Sequence, residues 1–353
     1  MPARAELRRA LVYAGGPAVL REVDRPALGP GDLRIRVLAC GVCGTDLELL
    51  AGRAFAGRLP LPIRPGHEVA GAVTEVGAAA GGRFAVGDTV VLHSIGACGR
   101  CADCTSGHDN RCRTVTTLGL DHPGGFADEV VWPAARAVRF RGLAPTRAAL
   151  LPDAVATAYH ALRRAATAPG GTLAVIGVGG LGSHLLQLAR LTRGDLRLVG
   201  VGRSERSLDR ARRLGAATIA GLGAAARAEA KRAGLFDAVV DVSGAADAVE
   251  FGLATLKRGG RMVLASVHES GLTTTMTRTA FMTKELELVG SYGSSLAELR
   301  EVTELAESGA LDLSESVSRV ISLDDLPAAL TDLLTSRDGA VRTVVVPDPD
   351  AGS

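Results

Sequence analysis

Short apolar runs cut by glycine and proline dominate the first third of the chain. Residues 33–38, 69–76 and 89–92 read as strands, so the stretch 8–128 predicts a small all-β, barrel-like unit with functional loops. Near residue 150 the rhythm changes. Residues 155–166 have helical spacing, 172–176 form the continuous apolar run of a buried strand, and 181–191 are helical again. Strand and helix then alternate through 196–201, 207–214, 236–242, 246–256 and 261–267, the pattern of a parallel sheet covered by helices. Beyond Gly290, helical patterns at 296–308 and 323–334 and a strand-like 341–346 predict a tail that returns to complete the first unit. The Ala/Gly-rich segment 221–234 predicts a helix with flexible ends, and no internal repeat is visible.

A chain of 353 residues is too long for one ordinary core and suits two compact units. The expected division is a first domain over 1–152, a dinucleotide-binding domain over 153–293 and a return to the first domain over 294–353. With 47% hydrophobic and 22% charged residues the balance is that of a soluble globular protein with no membrane partner. The net charge of +2 excludes a nucleic-acid stripe, and the Arg-rich stretches 4–9 and 203–213 are interrupted by acids, which favours solvated helix faces. The N-terminus lacks a signal-peptide pattern, which points to the cytoplasm. In that reducing compartment clustered cysteines suggest metal before disulfides.

The strand ending at Ile176 runs into Gly177-Val178-Gly179-Gly180-Leu181-Gly182 and then a helix. Glycines there permit a tight turn, close approach to a pyrophosphate and tight helix packing, and the helix N-terminus presents free N–H groups to phosphate. About twenty residues after the last motif glycine, an NAD site places Asp or Glu on the adenosine ribose. This chain has Gly202-Arg203-Ser204 instead. Loss of the carboxylate, with Arg203, Ser204 and Arg206 close by to meet a 2′-phosphate, predicts NADP(H) in preference to NAD(H). The plainer alternative leaves Arg203 in solvent or stacked on adenine.

Cys98, Cys101, Cys104 and Cys112 form a C-x2-C-x2-C-x7-C loop suited to four thiolates around one tetrahedral ion. No coordination position would remain open, so that zinc would be structural. A disulfide is disfavoured by the reducing compartment, and an iron–sulfur cluster by the absence of other redox features. Earlier, Gly41-Val42-Cys43-Gly44-Thr45-Asp46 and Gly66-His67-Glu68 offer a thiolate, an imidazole and carboxylates in apolar surroundings. Either alone reads as core packing.

Taken together, GVCGTD, GHE, the four-cysteine lobe and GVGGLG resemble, in order and spacing, the zinc-dependent alcohol dehydrogenases of the medium-chain dehydrogenase/reductase family. The resemblance extends over nearly the whole chain, including DVSGA at 241–245 and KELELVGS at 284–291. It implies an α/β architecture in which a Rossmann doubly wound parallel sheet joins a GroES-like β-barrel catalytic domain. It also implies a catalytic zinc on Cys43 and His67, with Glu68 as a ligand or exchanging neighbour. The family's third ligand precedes the helix leading to the cofactor domain, which places Asp153 in that role; an Asp at a helix head is otherwise an N-cap. Thr45 resembles the hydroxyl that relays the substrate proton, and Asp46 the carboxylate that orients His67. Where the family's relay often ends on a histidine, this chain has Glu48.

The activity so implied is hydride transfer between a nicotinamide dinucleotide and a small alcohol or carbonyl substrate, with zinc as Lewis acid. An NAD-dependent polyol or amino-alcohol dehydrogenase and a non-catalytic zinc and dinucleotide-binding protein are the alternatives; Cys43, His67 and the lobe argue against a zinc-free reductase. Leu49, Phe55, His93, Ser94 and Tyr292 are pocket candidates, and Arg53, Arg58 and Arg64 read as solvated. The family also implies a homodimer or homotetramer, with 286–290 as the pairing edge.

Overall fold

The computed structural model describes residues 7–55, 58–59, 61–269, 271–335 and 341–348, without the side chains of Leu7 and Arg8. The N-terminal basic run before Leu7 lies outside them. Arg9, which the charge pattern placed on a solvated helix face, instead sits in the strand Leu7–Val12 and pairs with Asp128 at 2.8 Å and Asp324 at 3.0 Å.

The chain divides into two compact units, residues 1–156 with 294–353, and residues 157–293. Asp153 falls in the first. That unit is built on a seven-stranded sheet in the order Arg319–Ser322, Thr343–Val346, Asp32–Val42, Glu68–Val76, Thr89–Leu92 and Ala137–Arg139, with Glu129–Pro133 also pairing with Asp32–Val42. The central strand runs to Val42, beyond the expected end at 38, because three neighbours satisfy its backbone. Its apolar side chains Leu33, Ile35 and Val37 join Val69, Leu92, Phe126 and the fully buried Trp132 in one core. The tail does return: Thr343 faces Val42 and Val344 faces Gly41 in an antiparallel ladder.

The second unit is a six-stranded, all-parallel sheet in the order Ala217–Ala220, Arg197–Gly202, Thr172–Ile176, Phe236–Asp241, Leu256–Leu264 and Glu287–Gly290. In chain order this is 3-2-1-4-5-6, the doubly wound arrangement whose ligands bind at the carboxyl ends of the strands where the order reverses. Thr172–Ile176 is buried at every position, as a strand covered on both faces must be. The Ala/Gly-rich segment contains the helix Ala224–Arg232.

Helix Gly180–Thr192 packs on this sheet through its first turn. A Cβ at Gly182 would lie 1.9 Å from the Gly177 carbonyl oxygen, so only hydrogen fits. Gly182→Ala is therefore expected to lower unfolding free energy by about 1–3 kcal/mol through overpacking. Urea unfolding measures this, and an unchanged midpoint would refute the packing argument.

Candidate active site

The strand Asp32–Val42 ends at Cys43, which caps the helix Gly44–Leu50. The Cys43 N–H donates to Asp46 Oδ2 at 2.8 Å, so one carboxylate closes the first turn and fixes the direction of the Cys43 side chain. His67 lies just before the neighbouring strand, and its Nδ1 is 3.4 Å from the other Asp46 oxygen. Glu68 opposes Gly41 in the ladder. A Cβ there would meet Glu68 Oε2 at 1.9 Å, so Gly41 is the gap through which this fully buried carboxylate reaches the site.

Asp153 arrives from a different part of the unit. It is the third residue of a π-helical turn, Leu151–Val155, rather than the N-cap of the following helix Ala156–Ala165. Such turns redirect one side chain without ending the helix. Asp153 Oδ2 lies 3.2 Å from Cys43 Sγ and 3.5 Å from His67 Nε2. One donor atom from each of Cys43, His67, Glu68 and Asp153 falls within 4.8 Å of the others.

The electrostatics of this cluster suit a cation. Burial, then the Asp153 charge, push the Cys43 thiol up, and burial drives Glu68 up to about 8. Burial also opposes ionisation of Asp153, but His67 and Arg342 outweigh it and hold the carboxyl well below its usual range. For His67 burial disfavours the proton, yet Asp46 and Asp153 prevail and raise it well above the ordinary imidazole value. Three acidic groups are thus crowded into one dry space, and a divalent ion would relieve all of them. The thiolate, imidazole and carboxylate set is the kind of donor set that binds zinc.

Sequence reading missed Arg342. It immediately precedes the C-terminal strand Thr343–Val346; its Nη2 lies 3.0 Å from Glu68 Oε1 and its Nη1 donates to the Val42 carbonyl at 3.2 Å. No local motif marks it, because the pairing spans the whole chain. Thr45 lies 3.8 Å from Cys43 Sγ through its hydroxyl. Glu48 accepts from Arg53 Nε at 2.8 Å and Nη2 at 3.0 Å, so Arg53 is an ion-paired residue and not simply solvated.

In the cysteine lobe, Cys101 and Cys104 sulfurs are 3.5 Å apart and Cys98 and Cys104 3.9 Å. A tetrahedral ion with Zn–S bonds of 2.3 Å has ligand edges of about 3.8 Å, so the four-sulfur cluster fits structural zinc. The Cys98 N–H, then the Thr114 hydroxyl, pull the Cys112 thiol down to about 6, while burial and Cys101 push Cys104 up to about 12.

In the second unit Gly177 has φ +92°, which permits the turn out of the strand, and a Cβ on Gly179 would meet nothing within 4 Å. Gly179 caps Gly180–Thr192 without a side-chain bond, so Gly180, Leu181 and Gly182 present an open helix terminus fit for a pyrophosphate. Arg203 is exposed and has no polar partner among the described residues. Ser204 caps Glu205–Arg213, and Arg206 lies in its exposed first turn. Arg210 departs from the solvated face expected of this helix, since its Nη1 donates to the Val178 carbonyl in the glycine turn at 3.0 Å. Asp241 Oδ1 accepts from Ser243 N at 2.8 Å and Ser243 Oγ at 2.6 Å, bracing the loop beside Gly177.

Two pocket candidates prove to be interior. Leu49 packs with Tyr13, Ile63 and Leu120, with Phe55 against them. His93 is fully buried: Arg136 Nη2 donates to its Nδ1 at 2.5 Å, so Nε2 carries the proton and donates to the Ser294 carbonyl at 2.9 Å. Arg136 in turn bonds Asp109 of the lobe at 2.6 Å. Ser94 is half-buried, its carbonyl accepting from Leu118 N at 2.9 Å, and Tyr292 is half-exposed.

A Cys-His-Glu-Asp cluster, a four-sulfur lobe and a doubly wound sheet with an uncapped glycine-rich turn define a zinc- and dinucleotide-dependent oxidoreductase. Residues 29–142 match the alcohol dehydrogenase GroES-like domain and residues 180–308 the zinc-binding dehydrogenase domain. The NAD-dependent alcohol dehydrogenase of Sulfolobus acidocaldarius is 30% identical over 332 residues, 90% of this chain and 93% of that protein. The L-threonine 3-dehydrogenase of Streptomyces avermitilis is 29% identical over 333 residues, 91% of this chain and 94% of that one. A zinc-binding dehydrogenase from Sinorhizobium meliloti, crystallised with NADP, superposes with a TM-score of 0.85 at 30% identity, covering 97% of this chain and all of that one. The chain belongs to the zinc-dependent alcohol dehydrogenases and is a zinc-dependent oxidoreductase acting on alcohols. No helix among the described residues is long and apolar enough to cross a membrane.

Burial, then the Arg136 charge, push His93 down to about 4, whereas a histidine in the unfolded chain titrates at about 6.5. Between these values the unfolded state binds more protons, so stability falls as pH drops through the window. The urea midpoint of the wild type is expected to decline more steeply than that of His93→Gln from about pH 6.5 to 4. Parallel slopes would show that His93 is protonated in the fold.

Proposed function

We propose that this protein interconverts a small alcohol and its carbonyl with NADP(H) in preference to NAD(H). Cys43, His67 and Asp153 would hold the catalytic zinc, with Glu68 as a further ligand or exchanging neighbour. Cys98, Cys101, Cys104 and Cys112 hold a second, structural zinc. The observation that carries the reading is the convergence of Cys43, His67, Glu68 and Asp153 from three chain segments on one buried point. Asp153, with 17% of its side chain exposed, supplies the side open to substrate.

When bound, the catalytic zinc supplies Lewis acidity toward the substrate oxygen, and the dinucleotide supplies or accepts the hydride. The chain's own groups do the rest. Asp46 orients His67 while holding the Cys43 backbone, Arg342 keeps Glu68 in place, and the Thr45 hydroxyl beside Cys43 carries the substrate proton. Glu48, which is paired with Arg53, or water finishes the relay to solvent. Gly177, Gly179, Gly180, Leu181 and Gly182 receive the pyrophosphate; Gly202, Arg203, Ser204 and Arg206 receive the 2′-phosphate. We place the enzyme in the cytoplasm as a homodimer or homotetramer pairing through 286–290. An amino-alcohol substrate is the second reading, favoured by the likeness to threonine dehydrogenases.

The test follows nicotinamide absorbance with aldehydes, ketones, polyols and amino-alcohols, each with NADPH/NADP and NADH/NAD. Chelator treatment, Cys43→Ser and Asp153→Asn are each expected to reduce kcat on the order of a hundredfold or more while dinucleotide binding survives. Turnover that persists without metal would refute the zinc assignment. Arg203→Ala is expected to weaken NADPH binding by roughly tenfold to a hundredfold and leave NADH binding unchanged; equal losses for both would refute the 2′-phosphate contact.

A further inference from the structure

We infer that Ser207 is a specificity-determining residue of the dinucleotide site, because its hydroxyl fills the space that any side chain at position 202 would need. The inference rests on the proposed preference for NADP(H) and adds the device that enforces it. Selectivity for a 2′-phosphate requires that no carboxylate stand at the end of the strand Arg197–Gly202, where an NAD site carries one. Glycine at 202 meets this requirement, and a larger residue there would have to displace the Ser207 hydroxyl.

A Cβ built on Gly202 would lie 2.6 Å from Ser207 Oγ, while Leu208 Cδ2 and Ser207 Cβ stand at 3.5 and 3.7 Å. The last two are ordinary contacts; the first is closer than unbonded carbon and oxygen approach. Ser207 Oγ alone therefore closes the position. It is also anchored, because it donates to the Ser204 carbonyl at 2.7 Å, while the Ser207 N–H bonds Ser204 O at 3.0 Å and Ser204 Oγ at 3.3 Å. Ser207 is the third residue of the helix Glu205–Arg213, where few side-chain rotamers are open to it. Swinging the hydroxyl aside to admit a residue at 202 would break one of the bonds to the Ser204 carbonyl, leaving those from the Ser207 and Leu208 N–H groups.

The nearby acids do not replace the missing carboxylate. Glu205 and Asp209 are both held by Arg212 Nη1, each at 2.5 Å. The stretch thus rejects a ribose-binding carboxylate chiefly by blocking position 202, while the two acids that follow it are paired with Arg212 at the surface. Discrimination by exclusion of this kind needs no added contact to the favoured ligand.

The test measures dissociation constants of NADPH and NADH by nicotinamide fluorescence, and thermal midpoints, for wild type, Gly202→Asp, Ser207→Ala and the double variant. Gly202→Asp alone is expected to lose NADPH, gain little NADH affinity and melt lower. Adding Ser207→Ala should tighten NADH binding by about tenfold and recover part of the lost midpoint. A merely structural serine would not move the NADH-to-NADPH ratio. The inference is overturned if Gly202→Asp alone binds NADH as tightly as the double variant with an unchanged midpoint. Should Gly202→Asp not fold, Gly202→Ala with and without Ser207→Ala carries the same test. The steric claim then requires the midpoint lost on adding one methyl to return when the hydroxyl is removed, and no recovery refutes it. A wild type that binds NADH more tightly than NADPH would sink the cofactor reading, while the midpoint cycle would still decide whether Ser207 closes position 202.

Discussion

The first unit is organised around a cost: Glu68 is fully buried, and a carboxylate without water must be matched by charge or lose its own. Arg342 supplies part of the match, although burial still pushes Glu68 up to about 8, and it does so because the C-terminal strand Thr343–Val346 pairs with the end of Asp32–Val42. That same end carries Gly41, which makes room for the Glu68 carboxylate, and Cys43, which begins the next helix. The tail, the central strand and the His67-Glu68 segment therefore depend on one another. Removing one partner of a buried pair typically costs about 3–5 kcal/mol, far more than the pair contributes over an apolar substitute. Such an arrangement is weak as a stabilising device and strong as a positioning one, since it admits a single geometry around Cys43, His67 and Asp153.

The second unit solves a different problem, the close approach of backbone to phosphate. Its devices are steric: Gly177 turns with φ +92°, Gly179 opens the helix terminus, Gly182 lets the helix settle on the turn, and Gly202 yields its place to Ser207. Polar bracing comes from outside the motif. Arg210 holds Val178 from the following helix, and Asp241 holds Ser243 against Gly177. In the first unit a similar brace joins the cysteine lobe to the sheet, through Asp109, Arg136 and His93 to the Ser294 carbonyl. His93 is thus part of the lobe's attachment, which accounts for its complete burial.

Much of this was legible in the sequence, because it rests on short-range chemistry. The change of apolar period near residue 150, the strand–glycine–helix junction at 172–182, the cysteine spacing and the absence of a carboxylate at 202 follow from turn sterics, side-chain alternation and ligand reach within a few residues. What only the tertiary structure decided is who meets whom across long separations. Arg342 carries no local signal and acts on Glu68 because two distant strands pair. Asp153 reads as a metal ligand only through the family resemblance and otherwise as a helix cap, and a π-helical turn is what aims it at Cys43, 110 residues away. His93 reads as a pocket residue until Arg136 is found covering it, and Ser207 reads as an ordinary helix position until its hydroxyl is measured against Gly202. The physical reason is the same in each case. Periodicity and spacing determine what a segment forms, whereas burial, charge matching and excluded volume belong to pairs that exist only once the chain has folded.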